Sequence, residues 1–99
     1  MTKKEIALKI AEETGIKQTD TKKVVQKTLD HIITALAAGK TVELRNFGVF
    51  DTRLQHARKA RNPKKPGVVV HVPPRAVVAF KVGKKMSQEA QRALAQLRS

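Results

Sequence analysis

Apolar positions recur at helical spacing as far as Ala38 and at alternating spacing from Val42 onward, so the period of the pattern divides the chain into a helical part and a strand-rich part. Thr2-Lys3-Lys4-Glu5 has the spacing of a capping box, in which hydroxyl and carboxylate satisfy otherwise orphaned N–H groups. A first helix of about three turns follows, with Ile6, Ala7, Ile10 and Ala11 on one face and Gly15 as its stop. A second helix is expected to start between Lys17 and Thr21, where Thr19 and Asp20 are usable caps, and to run to Ala38 with Gly39 just past its end. Its apolar stripe of Val24, Val25, Leu29, Ile32, Ile33, Leu36 and Ala37 is too broad for the first helix to cover. The uncovered part forms a dimer seam or packs on the chain's own strands.

Val42, Leu44 and Phe47-Gly48-Val49-Phe50 predict a strand with a turn or bulge at Asn46-Phe47-Gly48. From Asp51 to Arg61 only Leu54, Ala57 and Ala60 interrupt polar and basic residues, whereas Val68, Val69, Val70 and Val72 are strand formers. With Pro63-Lys64-Lys65-Pro66-Gly67 as the turn, these segments predict a long hairpin of two strands with no core beneath it, so it should protrude. Pro73-Pro74 ends the ribbon because neither residue donates to a ladder. Val77, Val78, Ala79, Phe80 and Val82 then predict a buried strand, and Gly83 leads into a last helix with Met86, Ala90, Ala93, Leu94 and Leu97. The expected class is α+β in one domain.

Charge changes this picture. The 99 residues carry 21 Lys/Arg against 8 Asp/Glu, a net charge of +13. Residues 1–51 hold nine basic against seven acidic side chains and residues 52–99 hold twelve against one, with no carboxylate side chain between Asp51 and Glu89. A segment that basic repels itself when compact and fits a polyanionic partner. Clustered cations are the footprint of a nucleic-acid binder, although RNA or an anionic membrane attracts the same charge. A chain this short buries only about 60–65% of its unfolded surface, so a projecting hairpin leaves a body that needs a second subunit.

Other chemistry is sparse. No cysteine is present for a disulfide or thiolate metal site, and no apolar run reaches the roughly 18 residues of a membrane helix, so a soluble intracellular protein is expected. His31, His56 and His71 lack metal-ligand spacing, although His56 and His71 could pair across the hairpin. Phe47, Phe50 and Phe80 sit amid apolar residues, as core or dimer interface. With carboxylates absent from the basic half, no glycine-rich phosphate loop and no nucleophile-base arrangement, neither an enzyme nor a cofactor is expected.

Three motifs carry a resemblance. Asn46-Phe47-Gly48-Val49-Phe50, Arg58-Lys59-Ala60-Arg61-Asn62-Pro63 and Ala79-Phe80-Lys81-Val82-Gly83-Lys84 are similar to the G-F-G-x-F, R-x-G-R-N-P and A-F-K-x-G-K segments of the HU and integration host factor family of bacterial histone-like proteins. The likeness covers about residues 2–94. It implies a helix-helix hairpin body, a three-stranded antiparallel sheet extended into a protruding β-ribbon arm, and a C-terminal helix, assembled as an intertwined homodimer. Residues 1–50 would form the dimerisation body, 51–75 the arm, and 76–99 the return strand and last helix. The arms of that family enter the minor groove of double-stranded DNA and bend it, so the expected partner is DNA at bent, nicked or flexible sites, in the cytoplasmic nucleoid, with little sequence preference. RNA is a secondary partner and no membrane partner is expected.

By the same likeness Pro63 is the intercalating wedge, a role that suits a rigid ring with no N–H to leave unsatisfied; the alternative is that it only shapes the turn. Arg61 and Asn62 would line the groove, and Arg53, Arg58, Lys59, Lys64, Lys65 and Arg75 would meet phosphates. Lys3, Lys81 and Lys84 match positions that extend the DNA path along the body. Lys3 lies where the helix dipole disfavours a cation, so a DNA role explains it better than helix stability does. Departures from the pattern are Ala60 in place of glycine, a tip turn one residue longer, Val78 where proline is common, and Ser87 at a basic position, with Lys85 as a stand-in. A sequence-preferring factor of the integration host factor kind, or a basic protein docking on RNA or an anionic membrane through charge alone, are the competing readings.

Overall fold

The computed structural model describes residues 1–62 and 64–98, with the backbone alone at Arg61, Asn62 and Pro66. The chain forms two compact units, residues 1–38 and the remainder from Gly39.

The first unit is a pair of helices, α1 (Lys3–Thr14) and α2 (Gln18–Ala37). Thr2 caps α1 through its hydroxyl, which accepts the Glu5 N–H at 3.3 Å. Gly15 closes it in the left-handed region (φ 74°), donating its N–H to the Ala11 carbonyl. α2 starts within the expected range, but its cap differs: Lys17 holds the cap position without a side-chain bond, and Thr19 and Asp20 lie inside the first turn. Thr21 accounts for this. Both its N–H and its hydroxyl reach the Lys17 carbonyl at 2.9 Å, so the first helical bond closes ahead of either expected cap.

That bond also lets Thr21 be buried with Ala7, Ala11 and Leu36, since its polar group is satisfied locally. The small Ala7 and Ala11 let the helices approach. Much of the α2 stripe stays in the open, with Val24 and Ile33 each 64% exposed.

In the second unit β1 (Val42–Leu44), β2 (Gly48–Gln55) and β5 (Arg75–Val82) form an antiparallel sheet in the order β1-β2-β5, while β3 (Arg58–Asn62) and β4 (Lys65–Val72) form a separate antiparallel ribbon. The expected long hairpin is therefore interrupted. Its basal part, Asp51–Gln55 opposite Arg75–Ala79, continues the three-stranded sheet. The ladder stops at His56-Ala57 and Pro73-Pro74, where the prolines supply no N–H.

Two further expectations are corrected at the ribbon. Lys65, Pro66 and Gly67 belong to β4 and not to the turn, because Asn62 faces Lys65 while Arg61 faces Val69, and the register shift takes up Pro66, Gly67 and Val68 as a bulge. A proline without a donor and a glycine without a Cβ suit that irregularity. His71 lies opposite Lys59, and His56 falls in the ladder break, so the two imidazoles are not a cross-strand pair.

The chain ends in α3 (Lys84–Ala90), a 3₁₀ turn (Gln91–Ala93) and α4 (Leu94–Arg98), a broken helix where a continuous one is expected. The turn before β2 anchors it: the Gly83 N–H donates to the Phe47 carbonyl at 2.7 Å and the Met86 N–H to the Asn46 carbonyl at 3.2 Å. Asn46 sits at φ 69°, which asparagine tolerates better than most residues and which the glycine of the related motif accepts freely.

One face of the three-stranded sheet is apolar. Opposite residues share a face, so Gly48, Phe50 and Leu54 align with Val82, Phe80 and Ala76, and between them Val78 faces Thr52, the one polar side chain that β2 and β5 place there. The Phe50 and Phe80 ring centroids are 4.6 Å apart, and Phe47 meets Phe80 edge-on at 5.9 Å. Gly48 is required under this cluster, since a Cβ there would lie 2.4 Å from the Phe80 ring and 2.7 Å from the Lys81 carbonyl oxygen. Phe47, Leu54, Val78, Phe80 and Val82 nevertheless remain exposed on the single chain.

Candidate nucleic-acid interface

The opposite face of the same sheet carries Val49, Asp51, Arg53 and Gln55 of β2 and Arg75, Val77, Ala79 and Lys81 of β5. Alternation puts Arg75 and Lys81 on one side of β5, and the register of β2 against β5 adds Arg53, 28 residues before Lys81, to the same surface. Two of the three are held in place by neighbours. Asp51 accepts from Arg53 Nε at 3.0 Å and Nη2 at 3.4 Å, and Gln55 Oε1 accepts from Arg75 Nε at 2.6 Å.

The Arg53 side chain is 63% exposed, so its ion pair adds little to stability. Its effect is orientation. Each guanidinium is fixed through its inner N–H groups and keeps outer donors for an acceptor in front of the sheet, the planar geometry that suits phosphate oxygens.

The distal ribbon places Arg58 and Lys59 on successive, hence opposite, faces of β3, with Lys65 at the start of β4 and Lys64 just before it; all four are exposed. Arg61 and Asn62 occupy β3 by backbone, and the wedge assigned to Pro63 lies outside the described residues. Lys84 is the first residue of α3, exposed, where the helix dipole gives a cation no reward.

Lys3 belongs to the first unit. Its ammonium donates to Gln26 Oε1, and Gln26 Nε2 donates in turn to Asp30 Oδ1 at 2.8 Å. It shares a cleft of about 520 Å³ with Lys4, Lys22 and Lys23, three cations that sequence reasoning left out of the binding set. Asp51 and Gln55 were missed as well. The Asp51-x-Arg53 spacing on a strand is a legible signal for the first. The Gln55–Arg75 contact spans 20 positions and depends on the register.

Among the described residues there is no cluster of His, Asp or Glu able to hold a metal, and no helix is long and apolar enough to cross a membrane. The arrangement suits a polyanion with regularly spaced charges: a flat cationic strip on a sheet, continued by a narrow cationic ribbon.

Comparison with known proteins agrees with that chemistry. The family model described as bacterial DNA-binding protein matches residues 1–91. The integration host factor subunit alpha of Caulobacter vibrioides is 37% identical over 94 residues, covering 95% of this chain and 93% of that protein. The integration host factor subunit beta of Nitrosomonas eutropha is 43% identical over 89 residues, covering 89% of this chain and 84% of that protein. Among solved structures, HU of Anabaena in a cocrystal with DNA superposes with a TM-score of 0.80 at 32% identity, covering 91% of this chain and 97% of that one.

Proposed function

The chain belongs to the family of bacterial DNA-binding proteins, and on that premise we propose that two copies form a paired body whose ribbons grip double-stranded DNA in the minor groove and bend it. The observation that carries this reading is the gathering of Arg53, Arg75 and Lys81 on one face of the β2–β5 pair, where Asp51 is engaged by Arg53 and Glu43 of β1 lies at the edge, opposite Val49. DNA lying against that face meets cations from the body outward to the ribbon.

The opposite, apolar face supports the pairing. A sheet that leaves Leu54, Val78, Phe80 and Val82 exposed is an incomplete core, as is a helix that leaves Val24 and Ile33 exposed, and a second copy supplies the missing cover. In this proposal residues 1–99 act as a single functional domain at the cytoplasmic nucleoid, Pro63 wedges between base steps, Arg61 and Asn62 line the groove, and Lys3, Arg58, Lys59, Lys64, Lys65 and Lys84 join the sheet cations at phosphates.

Bending a site of 20–30 base pairs costs on the order of 1–6 kcal/mol, less at nicks or flexible steps, so pre-distorted DNA is favoured. Sequence discrimination is weak because phosphate contacts carry none and the minor-groove code is degenerate. The likeness to integration host factor subunits favours a second reading, in which DNA shape confers a preference for particular sites.

Titration of random and selected duplexes over a range of salt tests both. Neutralising about six to ten phosphates gives a slope of log K against log salt of about −5 to −9, with random and selected duplexes within tenfold of one another. A slope near zero contradicts the phosphate-tracking interface, and a selected duplex preferred by about 10³ or more establishes the sequence-preferring reading.

A further inference from the structure

The family match ends at residue 91, whereas the helical chain continues as α4 (Leu94–Arg98), which displays Leu94 at 44% and Leu97 at 80% exposure. Leucines three apart on a helix project to the same side, so this short segment offers a compact apolar knob. The 3₁₀ turn at Gln91–Ala93 changes the helical phase just before it and sets the knob's direction independently of α3.

The first unit carries a matching hollow. A groove of about 340 Å³ runs between α1 and α2, lined by Ile6, Ile10, Ile16, Val24, Val25 and Leu29 with two threonines, and Ile6, Ile16, Val24 and Leu29 are exposed. Its lining contains no charged side chain. Glu13, seven residues after Ile6 and three after Ile10, follows the same helix face at the rim. Among the described residues neither Glu13 nor Arg98, the neighbour of Leu97, is in an ion pair.

We propose that α4 of one copy docks Leu94 and Leu97 into the α1–α2 groove of a second copy, with Arg98 against Glu13, so that the segment beyond the family match is a strap for the dimer. This rests on the dimer reading above. The occupant follows from complementarity of charge as well as of shape: an apolar knob flanked by a cation meets an apolar groove flanked by an anion, and both surfaces belong to the same chain. Exchange between two copies satisfies both grooves at once, the closed two-fold arrangement that a self-complementary interface produces.

Sedimentation equilibrium of the full chain tests the strap against a chain ending at Ala93 and against the Leu94→Ser/Leu97→Ser variant, with circular dichroism confirming that each is folded. Removing two leucines from each of two grooves raises the dimer dissociation constant roughly 100-fold or more. Glu13→Arg and Arg98→Glu each raise it, and the two together restore it, an outcome that loss of helix propensity does not produce. Dissociation constants unchanged by truncation, or charge reversals that fail to rescue one another, overturn the strap and leave the dimer standing. A full chain that is monomeric throughout overturns the dimer reading and the strap with it.

Discussion

Replacing Arg53, Arg75 and Lys81 together with glutamine lowers DNA affinity by at least about 100-fold at moderate salt and flattens the salt dependence. The three side chains share one sheet face, so DNA that meets one meets all three. Charge-assisted hydrogen bonds contribute about 1.5–3 kcal/mol each, and even partial loss at three positions exceeds two decades in affinity. Each lost phosphate contact removes about 0.9 from the slope of log K against log salt, hence about 3 per protomer. Fluorescence anisotropy over a salt series measures both quantities. Arg92→Gln is the control, because that cation pairs with Glu89 and is not on the β2–β5 face. A control that loses a third as much, in log affinity, as the triple variant reduces the interface to overall charge.

The second large effect concerns the body. Gly48→Ala destabilises the protein by about 2–3 kcal/mol, because the added methyl collides both with the Phe80 ring and with the Lys81 backbone carbonyl. For a domain of this length that lowers Tm by roughly 10–20 °C in thermal unfolding. Gly67→Ala, where a Cβ meets no atom within 4 Å and φ is not positive, shifts Tm little. Combining Gly48→Ala with Phe80→Leu recovers part of the cost but not all, since the ring can give way and the carbonyl cannot. Equal Tm values for the two alanine variants contradict the close packing of Phe80 and the Lys81 carbonyl against Gly48.

What the sequence disclosed and what it withheld separate by range. The helices were legible because their signals are local: the Thr2–Glu5 cap, the i, i+3/i+4 apolar spacing, and Gly15 and Gly39 at the two C-termini. The cap of α2 was not, because Thr21 closes the first turn with both its N–H and its hydroxyl, and a threonine at that point reads equally well as exposed. The strands were legible by alternation, and the prolines marked where the ladder breaks.

Register was not legible. It places Lys59, not His56, across from His71, moves Lys65 out of the turn, and joins Gln55 to Arg75 and Gly48 to Phe80 over distances in sequence that no local pattern spans. The cationic character of the second half was plain from charge alone, and the resemblance supplied its motif residues. The sorting of Arg53, Arg75 and Lys81 onto one surface, with Asp51 and Gln55 as their supports, came from the pairing of β2 with β5.

DNA bending is the central expectation for these ribbons. Fluorescence resonance energy transfer across end-labelled duplexes of about 30 base pairs, intact and nicked, follows the bend as protein is added, for the natural chain and for Pro63→Ala. The predicted result is a sharp bend with the natural chain, tighter binding to the nicked duplex, and a clearly reduced bend with Pro63→Ala at affinity changed by less than about tenfold. Saturated complexes whose duplexes stay straight, with nicked and intact DNA bound equally, would contradict it.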